Sequence, residues 1–288
     1  MLESPSNKLN FLISLVYAND MMKTKVKEVA DRADFWIDSG AFTAWKKGTE
    51  ISVEEWEASL ETLPIRPERY FTLDVIGNPE RTLQNYKQIR SMGYDPIPIF
   101  TRGDDPKMLD YYFDQTELVG VGGVARGQPS DRRYIKWLMP YIDERPVHLL
   151  GFAAREFIGY YKPYSVDTST WASGFMFGSL RIYLGKGRWV TINREKYKKR
   201  PTKEVLDAIS WYDEDPHKLR NRIEWVNTSR GKHMIERLSC KSWVRYVLEV
   251  REKLGTKVCL VTVDHTDIDR LMAAAEYLEN RKCSNPVC

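Results

Sequence analysis

The chain has 288 residues, 42% hydrophobic and 29% charged, an ordinary globular composition that excludes a collagen, a coiled coil and a disordered chain. Four cysteines in so long a chain exclude a disulfide scaffold, and a net charge of +4 alone says little about partners. The longest early apolar run, Phe11 to Tyr17, is too short for a secretion leader or a membrane span, so a soluble, reducing, cytoplasmic setting without a membrane is expected.

Short apolar runs recur along the chain: Phe11-Leu-Ile-Ser-Leu, Phe35-Trp-Ile-Asp, Tyr70-Phe-Thr-Leu-Asp, Pro96-Ile-Pro-Ile-Phe, Leu118-Val-Gly-Val and Val147-His-Leu-Leu-Gly. Each has the length of a buried strand. Helices are predicted between them. Ser52 with Glu55 reads as a capping box, followed by Trp56, Leu60 and Leu63 at helical spacing. Asn78 before Pro79 reads as an N-cap, with Leu83, Tyr86 and Met92 inward and Gly93 as the stop. Ser130 opens another helix, whose predicted inner face is Tyr134, Trp137, Leu138 and Tyr141.

Strand-then-helix repetition at about 30 residues per unit implies parallel strands joined by crossover helices. A (β/α)8 barrel of the TIM type is the expected fold, with a doubly wound open sheet as the alternative. Past about residue 175 the character changes. Arg181 to Ile192 reads as a β-hairpin turning at Gly185-Lys-Gly, followed by a basic tract and helical sequence to about 254. Ser242 is predicted to begin the clearest of these helices, with Trp243, Val247, Val250 and Leu254 inward. Val258 to Val263 is a last strand, and Thr266 caps a final helix. The reading is one domain over 1–288, with 181–255 as a hairpin and helical elaboration.

Three acids fall where strands end: Asp38, Asp74 and Asp167. Aspartate ending an apolar run is costly to bury unless paired, although any single one could be a turn or cap residue. Three in the same register point to chemistry at the open face of a barrel, where strand C-termini meet. Converging carboxylates suit a sugar anomeric carbon, one acting as nucleophile and another serving the leaving group. Gly40 and Gly122-Gly123 put bare backbone at the same rim, where a flat ligand could reach the main chain. Phe42 and Leu150 could clamp an aromatic ring there.

Asp38-Ser-Gly-Ala-Phe resembles the Asp-Ser-Gly-Gly-Phe/Tyr motif of the tRNA-guanine transglycosylases. Leu73-Asp74, Gly122-Gly-Val-Ala125, His148-Leu-Leu-Gly151 and Ser165-Val-Asp167 follow in that family's order, and Trp189-Val-Thr-Ile-Asn193 is similar to its post-nucleophile strand. The resemblance covers about residues 35 to 195. It implies Asp167 as the nucleophile at C1′ and Asp38 as the acid/base at the departing and incoming bases. It implies that Asp74 holds the N–H edge of a guanine-like base, with the Gly123 amide on its carbonyl and the Val124 carbonyl on a side-arm amine. Phe42 and Leu150 become the two faces of the base sandwich, with Gly122 and Gly151 in the same pocket. The family's zinc-binding Cys-x-Cys-x-x-Cys is absent from this chain, so no metal and no other cofactor is expected. A compact chain without that motif is most like the phage-type branch that installs 7-deazaguanines in DNA. DNA is therefore favoured over tRNA as the polymer, with free guanine or 7-deazaguanine as the small partner.

Charge supports a nucleic-acid partner. Arg181, Lys186, Arg188, Arg194, Lys196, Lys198, Lys199, Arg200 and Lys203 face a single acid, Glu195, between residues 181 and 203. Nine against one is a local +8 in a chain whose total is +4. Tyr183, Trp189 and Tyr197, interleaved with these cations, are predicted stacking residues. A tRNA-modifying transglycosylase, a non-catalytic nucleic-acid-binding protein and a glycoside hydrolase are the alternatives.

Overall fold

The computed structural model describes residues 8–124, 129–173, 179–193, 195, 197, 201–220 and 229–284. The chain divides into two compact units: residues 1–168 with 254–265, and residues 169–253 with 266–288. The segment read from sequence as an elaboration, 181–255, falls in the second unit except for its last two residues.

The first unit is a mixed α/β structure around one parallel sheet. Its strands are β1 (Leu9–Ser14), β2 (Ala33–Asp38), β3 (Arg69–Tyr70), β4 (Ile99–Phe100), β5 (Val119–Val121), β6 (Val147–Leu149), β7 (Ser165–Thr168) and β10 (Lys257–Thr262). They lie in the order β3-β2-β1-β10-β7-β6-β5-β4, so the last strand is inserted between the first and the seventh. Every predicted strand of this unit forms, although several are shorter than their apolar runs. At Pro96 and Pro98 there is no N–H to donate, and β4 shrinks to two residues; the Pro98 carbonyl still accepts from Gly120 N at 2.8 Å. The predicted barrel appears as a curled eight-stranded parallel sheet. Its edge strands β3 and β4 share no ladder, only the single parallel bridge of Phe71 to Ile97.

Helices α1 (Asp20–Val29), α2 (Ala41–Lys46), α3 (Val53–Glu61), α4 (Pro79–Ser91), α5 (Lys107–Phe113), α6 (Pro129–Ile142) and α7 (Arg155–Tyr161) connect the strands. The capping box of α3 is complete: Glu55 N donates to Ser52 Oγ at 3.1 Å and Ser52 N to Glu55 Oε2 at 2.8 Å. Asn78 caps α4 through Arg81 N, and Gly93 ends it with φ +93°. The buried face of α4 is Thr82, Tyr86 and Ile89. The face predicted for α6 is corrected by the structure. Asp131, Ile135, Leu138 and Ile142 are buried, whereas Trp137 and Tyr141 are exposed, Trp137 stacking on Tyr134 and meeting Tyr141 at a tilt. Asp131 can lie inward because Arg102 pairs with it at 2.9 Å.

Side chains alternate across a strand, so one set faces the sheet's concave interior. Leu12, Trp36, Phe71, Ile97, Ile99, Leu118 and Cys259 form that packed layer. Toward the strand N-termini, buried Lys257 meets Glu68 at 2.5 Å, and Trp36 Nε1 donates to the same carboxylate at 3.1 Å. Toward the C-termini the same faces carry Ser14, Asp38, His148 and Asp167.

The second unit holds the hairpin β8 (Ser179–Gly185) and β9 (Arg188–Asn193), α8 (Lys203–Trp211) and most of α9 (Ser229–Leu254) and α10 (His265–Ser284). Lys186 and Gly187 form the two-residue turn with φ +50° and +74°, the signature of a type I′ hairpin. Leu180, Ile182, Ile192, Tyr197, Ile209, Tyr212 and Leu238 belong to its core. Ser242 does not open a helix. It is buried within α9, which begins at Ser229, and Trp243, Val247 and Val250 are buried as predicted. The final helix likewise starts one residue before Thr266. Among the described residues no helix is long and apolar enough to cross a membrane.

Candidate active site

Asp38 is the last residue of β2, and the chain turns sharply after it. Gly40 takes φ +86°, and a Cβ there would meet Val16 Cγ1 at 2.7 Å and Ser14 Oγ at 3.2 Å. Only glycine fits both the left-handed backbone and the space. The turn lets Gly40 N donate to Asp38 Oδ2 at 3.0 Å. Ser39 Oγ accepts from Ala41 N at 3.2 Å and donates to Asp74 Oδ1 at 3.1 Å. Three consecutive residues thus hold two of the acids.

Asp74 follows β3 in a loop tied down on both sides. Asn85 Nδ2 donates to Leu73 O at 2.9 Å, and Val75 N donates to Thr82 Oγ1 at 2.9 Å. Burial pushes the Asp74 carboxyl up to about 7, and the negative charge of Asp38 adds to the rise. Asp38 is itself raised, first by burial and then by the charge of Asp167; the Ser14 hydroxyl and Gly40 N–H beside it pull the other way. The three acids therefore act on one another within one part of the sheet. Asp74, brought to about 7, is poised to hold or release a proton at neutral pH.

Asp167, on β7, is buried and held by a single oxygen. Gly151 N donates to Oδ1 at 2.7 Å, and His148 Nε2 lies 3.0 Å from the same atom. His148 Nδ1 lies 2.8 Å from Ser165 Oγ. The His148 ring is fully buried against Trp36 and Phe71, with centroids 5.3 and 4.9 Å away. The sequence reading gave no role to His148 or Ser165. The available signal was a histidine inside an otherwise apolar strand run.

The remaining predicted pocket residues lie after strands of the same sheet. Phe42, on α2, is 45% exposed rather than core; it stacks on Trp45 at 5.9 Å, with Lys46 Nζ 4.3 Å from its ring centre. Leu150 is partly buried against the interior layer. Gly122 follows β5 with its N–H given to Phe100 O at 2.8 Å, Gly123 is exposed with φ +73°, and the Val124 side chain is fully buried. Ala125, the last residue of that motif, lies outside the described residues. Gly151 is exposed with φ +68°.

The basic residues lie in the second unit. Arg181 packs over Trp189 and Trp243 at 5.0 and 5.9 Å from the ring centres. Lys186 is exposed at the hairpin tip, and Arg188 is exposed and paired with Glu204 at 3.2 Å. Arg194, Lys196, Lys198, Lys199 and Arg200 lie outside the described residues. Two predicted stacking residues are corrected: Tyr183 and Tyr197 are each 1% exposed and serve the unit's core. Their hydroxyls are satisfied internally. That of Tyr197 donates to Pro216 O at 2.5 Å, and that of Tyr183 accepts from Gly187 N at 2.7 Å.

No protein-family model matches the chain, and no curated protein matches it either.

Proposed function

We propose that the chain is a base-exchange transglycosylase that replaces guanine in nucleic acid by a 7-deazaguanine-type base, on DNA rather than tRNA. The observation that carries this reading is the set of three carboxylates at strand ends of one sheet, each held differently and each within the field of another. Asp167 attacks C1′; the glycosidic bond breaks and its electron pair leaves with the base, which takes a proton from Asp38. The incoming base then attacks C1′, returns a proton to Asp38 and expels the Asp167 carboxylate. Two inversions retain configuration. Asp74, when ionised, accepts from the N–H edge of the base, and Phe42 stacks on its face.

The preference for DNA rests on the resemblance to the compact phage-type branch. The local +8 between residues 181 and 203 supports a polyanion partner, and that tract follows the nucleophile strand in the chain. We read the sheet as a (β/α)8 barrel whose C-terminal rim carries the site. The bridge at Ile97, donating to Tyr70 O at 2.8 Å and accepting from Thr72 N at 2.9 Å, supports closure between the edge strands.

Incubation with labelled guanine and either DNA or tRNA tests the reading. Label should enter DNA, and a denaturation-resistant protein–DNA adduct should accumulate when free base is withheld. Asp167→Asn should abolish both, because an amide cannot form the glycosyl ester. Exchange into tRNA alone would correct the polymer. Exchange into neither, with DNA still bound, would leave a binding protein.

A further inference from the structure

We propose that His148 is a positioning residue for Asp167, with its tautomer set by that carboxylate and matched by Ser165, so that Oδ1 is kept occupied and Oδ2 is the oxygen that attacks. The inference rests on the transglycosylase reading for its chemistry, but its geometry stands alone. Among the described residues, both hydrogen-bond partners of Asp167 fall on Oδ1, and Oδ2 has none. A carboxylate only accepts, so His148 must donate from Nε2. A neutral imidazole then has a lone pair on Nδ1, and the Ser165 hydroxyl 2.8 Å away is the donor that matches it. Ser165 and Asp167 share a face of β7 because they are two residues apart, and β6 pairs with β7 through His148↔Ser165. Sheet register therefore builds the Ser165–His148–Asp167 chain.

The ring has nowhere else to go. Trp36 and Phe71 pack against it, and both its nitrogens are buried without access to water. A second donor to Oδ1, the Gly151 amide, is delivered by the turn after β6, where Gly151 takes φ +68°. Two donors on one oxygen fix the carboxylate's rotation about its side-chain torsion. A nucleophile fixed in this way reacts without first losing rotational freedom, and misplacement of an attacking atom by about 1 Å costs on the order of 100-fold in rate.

The test measures the rate of adduct formation at saturating DNA, with DNA affinity and melting temperature alongside. His148→Gln places an amide nitrogen where the imidazole Nε2 lies, so it should keep the rate within about tenfold of wild type. His148→Phe keeps the packing and loses the donor, so the rate should fall about 100-fold with DNA affinity unchanged. Ser165→Ala leaves the ring and its bond to Asp167 in place but removes the partner of Nδ1, giving a smaller fall and an altered pH profile. His148→Phe reacting at the wild-type rate, or His148→Gln failing as badly as His148→Phe in a folded protein, would overturn the assignment. The imidazole ¹⁵N spectrum gives a readout independent of activity. The chain has four histidines, so His148 is assigned by its substitution. Its Nε2 should be protonated and Nδ1 bare, in Ser165→Ala as in the wild type, because the Asp167 carboxylate remains. If no adduct forms in wild type but this tautomer is found, the enzymatic reading fails and the positioning geometry survives; the opposite tautomer would remove the geometry.

Discussion

Asp74→Asn removes a half-buried charge while nearly keeping the side chain's shape, so its effect on folding should follow pH. The Asp74 carboxyl rises from 3.8 to about 7 in the folded chain, through burial and then the charge of Asp38. In the unfolded chain it titrates near its ordinary value of about 3.9. Between about pH 4 and 7 folding therefore takes up a proton, and the wild type loses stability against the Asn variant as pH rises. The slope is about 1.4 kcal/mol per pH unit, accumulating to about 4 kcal/mol by pH 8, where both states are ionised. Below about pH 4 only a constant difference between acid and amide remains. Urea unfolding of both proteins from pH 4 to 8 measures this directly. A difference that does not change with pH, or that grows in the wild type's favour, would refute the reasoning. Base binding should run the other way. Only ionised Asp74 accepts two N–H groups, so free-base affinity should weaken about tenfold for each pH unit below about 7. The proton that relieves the fold blocks the ligand.

Phe42→Ala should leave stability within about 0.5 kcal/mol, as expected of an exposed side chain, yet weaken free-base binding by about 1–3 kcal/mol because the base has no ring to stack on. A stability loss of about 3–5 kcal/mol would mark Phe42 as core instead, and calorimetric binding beside thermal melts separates the two. Replacing Lys196, Lys198, Lys199 and Arg200 by Ala should weaken DNA binding and reduce the slope of log K against log salt by about 0.9 for each duplex phosphate no longer neutralised. An unchanged slope in binding titrations would place the polymer elsewhere.

Much of the first unit was legible because its signals are local. Phe35-Trp-Ile-Asp is a strand with an acid at its end whatever follows, and the Ser52–Glu55 box closes over four residues. Asp38, Asp74 and Asp167 could be singled out because an acid ending an apolar run violates the pattern around it. What failed depended on partners distant in the chain. The α6 ring series of Tyr134, Trp137 and Tyr141 has helical spacing, but the inner face lies on Asp131, Ile135, Leu138 and Ile142. The acid on that face disguised it, and its neutralising Arg102 lies 29 positions earlier. Tyr183 and Tyr197 were read by their cationic neighbours in sequence, whereas burial in the second unit's core decides their role. His148 gave no hint of its use because its partners Ser165 and Asp167 arrive only when β6 and β7 pair.

The ways in which the three acids are held explain why one site can contain them. Each hydrogen-bond donor aimed at a carboxylate favours its charged form, while burial and neighbouring negative charge oppose it. Asp167 has two N–H donors on one oxygen, one from backbone and one from an imidazole. Asp38 has the Gly40 N–H and the Ser14 hydroxyl beside it, against burial and the charge of Asp167. Asp74 has the Ser39 hydroxyl as its side-chain donor, and it is the acid raised to about 7. The Asp38-Ser-Gly turn is thus more than a tight bend. Its serine serves Asp74, its glycine amide serves Asp38, and the absence of a glycine side chain lets the backbone approach Ser14 and Val16. Donors of different kinds make the three carboxylates inequivalent, with burial raising Asp38 and carrying Asp74 to about 7 against the donors beside them.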